Sequence, residues 1–574
     1  MSDDSATMAA AVAAALRTAG TDAVFGVPGG GSNLDVVGAV EATGGRFVLT
    51  HNETAAMIMA SAAAEVTGRP SAAVVTRGPG AASATNGAAH ALLDRQPVVL
   101  ITDCVTAADR DRVSHQRLDQ SRLLGAVTKA SLTLGPHDAG AVAAAAVTLA
   151  CSGRPGPVHL DMDPTAAATG SFAGSRSHPE ARHDDPSVAS ATVGSAPGLE
   201  RRPPDPTALE AARAALRHAH RPVVVAGIGA VALPRRRRSD AIAAVRRFVG
   251  PAVPTLTTYK ARGIVADSSP AAAGIATGAT IEAPVLADAD LIIGVGLDPV
   301  ELIPGPWPYA APMILLGAWP TDDSTYFGER VVAEVVGDPA SILDQLAPDL
   351  PFDGDPSAAA QHREAARARV LAAVPASAQQ GLLPQQLVTI AREVAPPGTI
   401  ATVDSGAHML PAVPLWHVDE PGELLISSGL ATMGFALPAA VAAALVLPGR
   451  HVVCFTGDGG IGMVLAELET LARLGLPVVV VVFNDAALSL IGIKQRAEGH
   501  GGEGAVRYAP IDFAAIGAAA GLTAARVDDP DAYRAALHEA LDRQGPTLLD
   551  VAVDPRGYAA VLEAIRGNRT PSVD

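Results

Sequence analysis

The stretch HVVCFTGDGG at residues 451–460 and the stretch VVVVVFND at residues 478–485 decide the fold of this 574-residue chain. The first begins as an apolar run and ends in a glycine turn. A helix-like segment at residues 463–474 follows, and the second stretch is another apolar run. Strand, glycine turn, helix and strand in this order predict a parallel β–α–β unit whose turn lies at the carboxyl end of its first strand.

The residues of this turn are suited to a phosphate and a metal ion. Glycines let the backbone approach a phosphate closely, and the first turn of the next helix presents N–H groups to it. Asp458 and Asp485 would supply oxygen ligands from two strand ends, and Mg²⁺ prefers a few such oxygens together with phosphate oxygens. A Gly-Asp-Gly sequence alone is as often a plain turn, but the complete order of elements favours a phosphate and magnesium site.

Short apolar runs alternate with Ala-rich helical segments along the rest of the chain, which predicts an α/β fold of parallel sheets covered by helices on both faces. The further predicted strands are residues 23–26, 72–75, 98–102, 158–161, 223–226, 291–295, 399–403 and 547–553. Two polar stretches rich in Ser, Pro and Gly divide the chain into three doubly wound domains. The predicted limits are a domain at 1–165, a linker at 166–205, a domain at 206–350, a linker at 351–378 and a domain at 379–574.

Composition and charge exclude several classes of protein. Hydrophobic residues make up 49% of the chain and charged residues 18%, which is typical of globular proteins. The net charge of -17 argues against nucleic acid as a partner, and the single basic run at residues 235–238 is interpreted as a solvated loop. No apolar run reaches the roughly 20 residues that a membrane helix needs, so no membrane association is expected.

The cysteines and the N-terminus favour a cytoplasmic protein. The three cysteines, Cys104, Cys151 and Cys454, show neither metal-ligand spacing nor a disulfide framework, which fits a reducing compartment. Residues 1–9 contain two Asp and no basic residue, which argues against a signal peptide, and the segment is interpreted as the start of an amphipathic helix.

The turn and its flanking strands resemble the thiamine-diphosphate-dependent enzymes of the acetohydroxyacid synthase and pyruvate decarboxylase type. Asn484 and Asp485 follow Asp458 by 26 and 27 residues, the spacing at which that family places a pair of Asn after its Gly-Asp-Gly turn. The resemblance implies thiamine diphosphate and Mg²⁺ as cofactors. It implies Asp458, Asp485 and the main-chain carbonyl of Ala487 as metal ligands, with Asp replacing the family's Asn at position 485.

Other motifs extend the resemblance over nearly the whole chain: VFGVPGG at 24–30, HNE at 51–53, TRGPG at 76–80, SHQ at 114–116, DSGAH at 404–408 and SGLATMG at 428–434. They imply a pyrimidine-binding first domain, a central domain and a diphosphate-binding third domain. The implied catalytic residues are Glu53, Gln116 and Met433. The implied cofactor contacts are Val27, Pro28, Gly29, Glu53, Asn86, Ser405, Gly406, Ala407, His408, Ala431, Met433, Gly457, Asp458, Gly459, Gly460, Asn484 and Asp485.

Three of these residues have roles that thiamine chemistry requires. Glu53 would hydrogen-bond the N1′ atom of the cofactor's pyrimidine, and its apolar neighbours would raise the pKa of its carboxyl group. Met433 would separate the two cofactor rings, because an unbranched thioether fills an irregular gap. The Ala431 carbonyl would orient the 4′-amino group.

The substrate end departs from the acetohydroxyacid synthases. The predicted substrate residues are Gly30, Arg77, His115, Gln116 and Lys494. Lys494 stands where that family has a Trp, Arg77 where it has a small residue, and His115 where it has Phe. Each alone is more often a surface residue, but together they predict a pocket that attracts an anionic acceptor.

The central domain departs as well. The segment VAGIGA at 225–230 could form a dinucleotide turn, although glycines after a strand are weak evidence. Acetohydroxyacid synthases hold a non-redox flavin in this domain with the help of an Arg, and the corresponding segment, GVGLDPVE at 294–301, has none. FAD is therefore the disfavoured alternative.

The predicted function is a carboligase of the acetolactate synthase type, which decarboxylates a 2-oxo acid, with pyruvate as the expected donor, and transfers the acyl-anion fragment to an aldehyde or a second 2-oxo acid. The alternatives are a simple 2-oxo acid decarboxylase, a 2-hydroxyacyl-CoA lyase and a catalytically silent paralogue. No His-His pair stands near position 115, which disfavours the decarboxylase. The resemblance also implies a homodimer or a dimer of dimers whose active sites combine Glu53 of one chain with Asp458 of another.

Overall fold

In a computed structural model of the chain, the described residues are 3–166, 203–321, 324–350, 354–375 and 381–567. They form three six-stranded sheets, and every strand pairing is parallel. Helices flank each sheet. The predicted α/β fold of three doubly wound parallel-sheet domains is confirmed.

The N-terminal sheet has the strand order β2-β1-β3-β4-β6-β5. Its strands are β1 (Ala23–Val27), β2 (Arg46–Leu49), β3 (Ser71–Val75), β4 (Val98–Asp103), β5 (Ala130–Leu134) and β6 (Val158–Met162). Its helices are α1 (Asp3–Thr18), α2 (Ser32–Ala42), α3 (Glu53–Thr67), α4 (Pro79–Ser83), α5 (Thr85–Leu93), α6 (Gln120–Gly125) and α7 (Ala139–Cys151). Helix α1 buries Met8, Val12 and Leu16 on one face, as the predicted amphipathic helix requires.

The central sheet has the order β12-β11-β10-β7-β8-β9. Its strands are β7 (Pro222–Ala226), β8 (Thr255–Thr257), β9 (Ala272–Ile275), β10 (Leu291–Val295), β11 (Met313–Gly317) and β12 (Val331–Val336). Its helices are α8 (Pro206–Arg217), α9 (Arg235–Val249), α10 (Ala283–Leu286) and α11 (Pro339–Leu346), and α12 (Ser357–Leu371) packs against β9. Counted from its own first strand, this is the order of the dinucleotide-binding fold.

The C-terminal sheet has the order β14-β13-β15-β16-β18-β17, which repeats that of the N-terminal sheet. Its strands are β13 (Ile400–Val403), β14 (Leu424–Ile426), β15 (Val452–Gly457), β16 (Val478–Asn484), β17 (Thr523–Val527) and β18 (Thr547–Ala552). Its helices are α13 (Pro384–Val394), α14 (Met409–Leu415), α15 (Ala436–Val446), α16 (Asp458–Gly462), α17 (Glu467–Leu474), α18 (Ser489–Ala497), α19 (Phe513–Ala519), α20 (Pro530–Asp542) and α21 (Arg556–Arg566).

Burial on both faces explains why the inner strands are apolar throughout. All seven residues of β16 are buried, including the run of five valines from Val478 to Val482. Val479, Val481 and Phe483 join the core cluster that contains Trp416, and alternation along the strand directs their neighbours to the opposite face. All ten predicted strands are present, with ends that differ from the prediction by at most one residue.

The basic run at residues 235–238 was predicted as a loop, and this is wrong: it is the first turn of α9. Arg favours a helix almost as well as Ala does. Later in the same helix Ala241, Val245 and Phe248 bury the face that packs on the central core, and Arg237 Nε lies 3.5 Å from Asp338 Oδ1. Packing further along the helix therefore extends it through the charged run.

The predicted domain limits stay predictions. The first linker lies almost wholly outside the described residues, and the second, predicted at 351–378, contains the whole of α12. The N-terminal sheet belongs to one compact unit, and the central and C-terminal sheets belong together to a second. Across the described ranges, no helix has both the length and the apolar character to cross a membrane.

Candidate active site

A cavity of about 310 Å³ lies at the carboxyl edge of the C-terminal sheet. The first residues of α14, α16 and α18 line it, and these helices follow the neighbouring strands β13, β15 and β16. First-turn N–H groups have no intrahelical acceptor, so this arrangement favours an anion. The predicted residues that line the cavity are Ser405, Gly406, Ala407, His408, Ala431, Met433, Gly457, Asp458, Gly459, Gly460, Asp485, Ala487 and Lys494.

Asp458 and Asp485 form a pair of partly desolvated carboxylates in this cavity. The backbone N–H of Asp485 donates to Asp458 Oδ2 at 3.0 Å, and the N–H of Gly459 donates to Asp458 Oδ1 at 2.7 Å. The Ser489 hydroxyl donates to Asp485 Oδ2. Burial raises the pKa of the Asp485 carboxyl to about 7, with a further contribution from the charge of Asp458. Burial also raises the pKa of Asp458, so a cation between the two groups would relieve both.

The main chain beyond Asp485 is held in place by a segment more distant in sequence. Ala487 pairs with Arg507 in an antiparallel bridge, and the N–H of Tyr508 donates to the carbonyl of Ala486 at 3.2 Å. Ala486 has a φ of 54°, a left-handed conformation that is uncommon outside glycine. The Tyr508 hydroxyl donates to Asp458 Oδ1 at 2.6 Å. Sequence reasoning missed Tyr508, since no local pattern around it indicates a contact across 50 residues.

Asn484 is placed differently from the other predicted residues of this domain. Its side-chain amide donates to the carbonyl of Ile511 at 2.9 Å and to Asp550 Oδ1 at 2.8 Å. The residue is buried and does not line the cavity. Its amide therefore joins β16 to β18 and to the start of α19, and its role as a cofactor contact stays a prediction.

Two buried polar atoms beside the cavity have no hydrogen-bond partner within the part of the chain that the structure describes: the Ser405 hydroxyl oxygen and His408 Nε2. Burial lowers the pKa of His408 to about 3, so the imidazole is uncharged at neutral pH. The His408 ring packs against Phe483, with centroids 5.4 Å apart. Buried polar groups are nearly always paired in native proteins, so these two atoms indicate a polar ligand.

Asp404 joins the segments that surround the cavity, although it was not predicted as a site residue. Its carboxylate accepts hydrogen bonds from the N–H groups of Gly434 and Phe435, at 3.1 and 3.2 Å, and from the Thr456 hydroxyl at 3.1 Å. It is fully buried, and desolvation raises its pKa to about 6. One side chain thus fixes the ends of β13 and β15 relative to the turn that carries Met433.

Close packing around Gly459 positions Met433. A Cβ atom at Gly459 would lie 2.7 Å from Leu488 Cδ2 and 3.2 Å from Met433 Cε, so only glycine fits there without displacing them. Met433 is half-buried, and Ala431, two residues earlier, has a φ of 53°. The sulfur-containing side chain therefore lines the cavity on a constrained turn, which suits the predicted role of a ring separator.

Lys494 lines the cavity from α18, together with two residues of α21 that were not predicted, Tyr558 and Arg566. Tyr558 is buried, and the pKa of its hydroxyl is raised, first by burial and then by the charges of Asp485 and Asp458. The C-terminal helix thus contributes to the site. No local motif marks it, because its contribution depends on where the chain returns after β18.

In the N-terminal unit, Glu53 is the first residue of α3, and the Asn52 side chain caps the helix by accepting from the N–H of Ala55 at 3.2 Å. Glu53 is half-buried. A Cβ atom at Gly80 would lie 2.9 Å from Thr76 Cγ2 and 3.3 Å from Glu53 Oε1. The glycine turn after β3 therefore packs directly on the predicted catalytic carboxylate.

The same turn is anchored from beneath by Gln120, a residue that was not predicted. The Gly78 N–H donates to Gln120 Oε1 at 2.6 Å, and Gln120 Nε2 donates to Asp161 Oδ1 at 3.0 Å. Arg77 is also engaged: its N–H donates to Asp103 Oδ1 at 2.9 Å and its guanidinium to the Cys104 carbonyl at 3.3 Å. The Arg77 side chain is thus directed toward the end of β4.

The remaining predicted residues of this unit lie at its surface. Asn86, His115 and Gln116 are exposed, and Gln116 has a φ of 56°. Gly30 is exposed as well, whereas Val27, the last residue of β1, and Pro28 and Gly29, which follow it, are half-buried. All of them lie within the unit that contains Glu53, and their roles toward cofactor and substrate stay predictions.

In the glycine turn after β7 of the central domain, the backbone N–H groups already donate to other residues of the chain. The N–H of Ile228 donates to Glu301 Oε2 at 2.7 Å, and the N–H groups of Gly227 and Gly229 donate to the carbonyls of Val295 and Gly296, at 2.9 and 2.8 Å. A phosphate would need these donors and would be repelled by the carboxylate. The donor set of this turn therefore does not fit a dinucleotide such as FAD.

The three family models that match are the thiamine pyrophosphate enzyme N-terminal TPP binding domain at residues 6–123, the central domain at 209–361 and the C-terminal TPP binding domain at 404–551. The chain belongs to the thiamine pyrophosphate enzymes. The C-terminal model covers the residues that line the cavity except Tyr558 and Arg566 of α21.

Relatives of similar length support the same family. The large subunit of acetolactate synthase isozyme 2 from Escherichia coli is 30% identical over 552 residues, 94% of each chain. Acetolactate synthase from Bacillus subtilis is 29% identical over 563 residues, 93% of this chain and 91% of its own length. A probable 2-ketoarginine decarboxylase from Pseudomonas aeruginosa is 28% identical, over 93% of this chain and 92% of its own. The predicted resemblance is confirmed.

Family membership supports thiamine diphosphate as a cofactor of this chain, and the residues of the cavity can be tested for their fit to it. Its diphosphate fits the unpartnered Ser405 hydroxyl and the helix N-termini. Among the described residues, no group of three or more His, Cys, Asp or Glu side chains could hold a metal. Asp458 and Asp485 would thus form only part of a metal site, and a carbonyl and phosphate oxygens would have to complete it.

Proposed function

We propose that this chain is a thiamine-diphosphate-dependent carboligase. It removes CO₂ from a 2-oxo acid and joins the remaining acyl fragment to the carbonyl carbon of an acceptor. With an aldehyde acceptor, one 2-oxo acid, one aldehyde and one proton give one 2-hydroxy ketone and one CO₂. The observation that carries the proposal is the cavity that combines two desolvated carboxylates, the unpartnered Ser405 hydroxyl and Met433. Its acetolactate synthase relatives support it.

The residues of the C-terminal domain would bind and orient the cofactor. Asp458, Asp485 and the Ala487 carbonyl would hold Mg²⁺, and Ser405 would contact the diphosphate. When bound, thiamine diphosphate supplies the electron sink that makes decarboxylation next to a carbonyl feasible. Met433 would hold its two rings apart, and Tyr508 would keep the Asp458 carboxylate in position through its hydrogen bond.

Glu53 would hold a proton at the N1′ atom of the pyrimidine. Its position at the start of α3, against the backbone of Gly80, restricts the carboxylate to few orientations. Gln116 remains the proposed catalytic residue nearest the acceptor, and Gly30 and His115 remain proposed substrate residues. Arg77 is a weaker candidate for the substrate because the Cys104 carbonyl and Asp103 already engage it.

The alternatives differ in the fate of the acyl fragment. A simple decarboxylase protonates it and releases an aldehyde, and the relative named as a probable 2-ketoarginine decarboxylase keeps this alternative open. The exposed His115 is followed by Gln116 rather than a second His, which favours carboligation. A 2-hydroxyacyl-CoA lyase would run the joining step in reverse on a thioester, and a silent paralogue would bind the cofactor without turnover.

The assembly that we propose is a homodimer or a dimer of dimers in which Glu53 of one chain faces Asp458 of the other. In the N-terminal unit Leu34 and Leu49 are exposed by 54% and 46%, and in the second unit Met463 and Ile491 are exposed by 62% and 50%. Exposed large apolar side chains beside both groups of site residues favour surfaces that another chain covers. The three cysteines are free, which supports a cytoplasmic location.

The test is a product assay. The protein is incubated with thiamine diphosphate, Mg²⁺ and pyruvate, with and without an aldehyde or a second 2-oxo acid, and CO₂, free aldehyde and joined products are measured. A carboligase gives a hydroxy ketone or a 2-hydroxy-2-methyl-3-oxo acid as the main product. Aldehyde alone would contradict the proposal in favour of the decarboxylase, and no turnover despite cofactor binding would favour the silent paralogue.

The matched control is a pair of glutamate variants. Glu53→Gln removes the proposed proton-holding carboxyl group, whereas Glu41→Gln changes an exposed glutamate of α2. Product formation should be almost lost in the first variant and unchanged in the second. Equal activity of both variants would remove Glu53 from the mechanism.

A further inference from the structure

Two cations of the cavity have no part in the proposed binding of cofactor and metal: Lys494 on α18 and Arg566 in the last turn of α21. Neither side chain makes a hydrogen bond or an ion pair with the residues that the structure describes. Elsewhere in the same domain, Arg473 pairs with Glu469 at 3.0 Å and Arg534 with Glu393 at 2.7 Å. The cavity thus contains two cationic side chains that form no ion pair with a described residue.

Helix geometry separates these cations from the carboxylate pair. Tyr558 lines the cavity together with Asp485, and Arg566 follows it by eight residues, about 12 Å of helical rise. On α18, Ser489 contacts Asp485, and Lys494 follows it by five residues, about 7.5 Å of rise. The backbone of both cationic residues therefore lies well away from the end of the cavity that contains Asp458 and Asp485.

Lys494 is an exposed residue of the cavity, and two apolar residues of the same helix line the cavity beside it. Leu490 and Ile491 lie on the same face of α18 as Lys494, because residues three and four apart share a helix face. Since Lys494 is exposed, its ammonium group is accessible to a ligand that enters the cavity. An ammonium group supplies a point charge, and a guanidinium group adds a fork that matches a carboxylate or a phosphate.

We propose that Lys494 and Arg566 form a subsite for a second anionic group of the substrate, a carboxylate or a phosphate distant from the reacting carbonyl. This rests on the proposed carboligase function. The substrate class is then either a 2-oxo acid donor that carries a second carboxylate or an acceptor aldehyde that carries a phosphate. The same two cations would recognise either group, and the choice of donor and acceptor in the experiment separates them.

The experiment compares kcat/KM for substrates that differ by one anionic group. Pyruvate and 2-oxobutanoate are compared with oxaloacetate and 2-oxoglutarate as donors, and acetaldehyde is compared with glyceraldehyde 3-phosphate as acceptor. The wild type should prefer the members with the additional anionic group in at least one series. Lys494→Gln and Arg566→Gln should each lower kcat/KM for those members by roughly 10- to 100-fold, the usual effect of losing a hydrogen bond to a charged group. The substrates without that group should change by less than about twofold.

The matched control is Arg496→Gln, which removes an exposed cation from α18 that does not line the cavity. It should leave both substrate classes unchanged, which excludes a general effect of protein charge. Thermal unfolding of each variant checks that the fold is intact. The affinity for thiamine diphosphate with Mg²⁺, measured by calorimetry, should be the same in all four proteins.

Two outcomes would overturn the subsite. Equal losses for substrates with and without the additional anionic group would mean that the cations act on something common to both. Weaker binding of thiamine diphosphate in Lys494→Gln or Arg566→Gln would assign them to the diphosphate instead.

Failure of the proposed function is recognised separately, as a wild type that binds cofactor and converts no substrate in either series. In that event the binding of succinate, with acetate as its singly charged control, to the cofactor-loaded protein still tests the subsite. Succinate should bind more tightly to the wild type than to either variant. Equal binding would reject the subsite.

Discussion

Two glycine turns of this chain occupy equivalent positions in their sheets. One turn is open, since it lines a cavity, whereas the other is closed, since atoms of the chain itself fill the corresponding space. The turn after β15 lines the cavity at the carboxyl edge of its sheet, near the point where the strand order reverses. The turn after β7 stands at the corresponding reversal in the central sheet, where dinucleotides bind in this topology. Glu301, which follows β10, accepts from the N–H of Ile228 and fills that place. The carbonyls of Val295 and Gly296 accept from the N–H groups of Gly227 and Gly229. Topology thus provides the location, and the acceptors supplied by other loops decide whether the N–H groups of the turn are left for a ligand.

The largest expected effect tests the open turn. Asp458→Ala removes a carboxylate that the Asp485 N–H and the Tyr508 hydroxyl both contact. We expect turnover to fall by roughly three orders of magnitude or more, since Mg²⁺ and the diphosphate lose a shared anchor. Initial-rate assays and calorimetry with thiamine diphosphate and Mg²⁺ measure this. Asp485→Asn keeps an oxygen ligand and should stay within roughly tenfold of the wild type. A harmless Asp458→Ala would reject the metal assignment.

The second prediction concerns the hydrogen bond from Tyr508 that holds Asp458 in the turn after β15. Tyr508→Phe deletes the hydroxyl that donates to Asp458 Oδ1 at 2.6 Å. Because outer partners orient metal ligands, the affinity for Mg²⁺ at saturating cofactor should fall roughly 10- to 100-fold. Metal titration of activity gives the value. Tyr533→Phe is the control, since the buried hydroxyl of Tyr533 has no hydrogen-bond partner in the described chain. Unchanged affinity for Mg²⁺ in Tyr508→Phe would show that the turn keeps its conformation without the hydrogen bond from Tyr508.

A mixed dimer extends the comparison to the N-terminal sheet, which shares its strand order with the C-terminal sheet. Glu53→Gln and Asp458→Ala chains are each expected to be nearly inactive. After subunit exchange, random pairing should restore one intact site in half of the dimers, about one quarter of wild-type activity. Each variant taken alone through the same exchange protocol is the control. Exchange demonstrated by mass spectrometry without recovered activity would mean that each site is built within one chain.

The smallest effect on activity concerns the closed turn. We propose that the central domain takes no flavin, so the purified protein should lack absorbance near 450 nm, and added FAD should change neither turnover nor melting temperature. Glu301→Ala should leave Ile228 N–H without its acceptor and lower the free energy of unfolding by about 1–3 kcal/mol. Chemical denaturation measures this, with Glu329→Ala, an exposed residue, as the control. Stoichiometric flavin in the wild type would refute the proposal.

The strands show which part of the fold could be predicted. The ten predicted strands are the inner ones: the four central strands of the N-terminal and C-terminal sheets and the two central strands of the middle sheet. The missed strands include all six edge strands and two short or interrupted ones beside them. An edge strand such as β17 exposes part of each face, so its sequence lacks the continuous apolar run that burial on both sides produces.

The residues of the candidate site also divide into those that the sequence indicates and those that it does not. Gly459, Asp458 and Asp485 could be found from the sequence because their functions require residue types at fixed distances from strand ends. Tyr508, Asp404, Gln120 and Arg566 could not, because each acts through a contact with residues that its neighbours in sequence do not indicate.

The sequence by itself determined that this chain is an α/β protein, and it predicted a phosphate-binding and metal-binding turn, since apolar periodicity and glycine spacing are local consequences of burial and backbone geometry. Only the tertiary structure decided that Asn484 bonds to Asp550, that Glu301 closes the central turn, and that α21 brings Arg566 to the cavity of Lys494. These depend on which chain segments meet in space, and that is set by the packing of the whole domain rather than by any short stretch of residues.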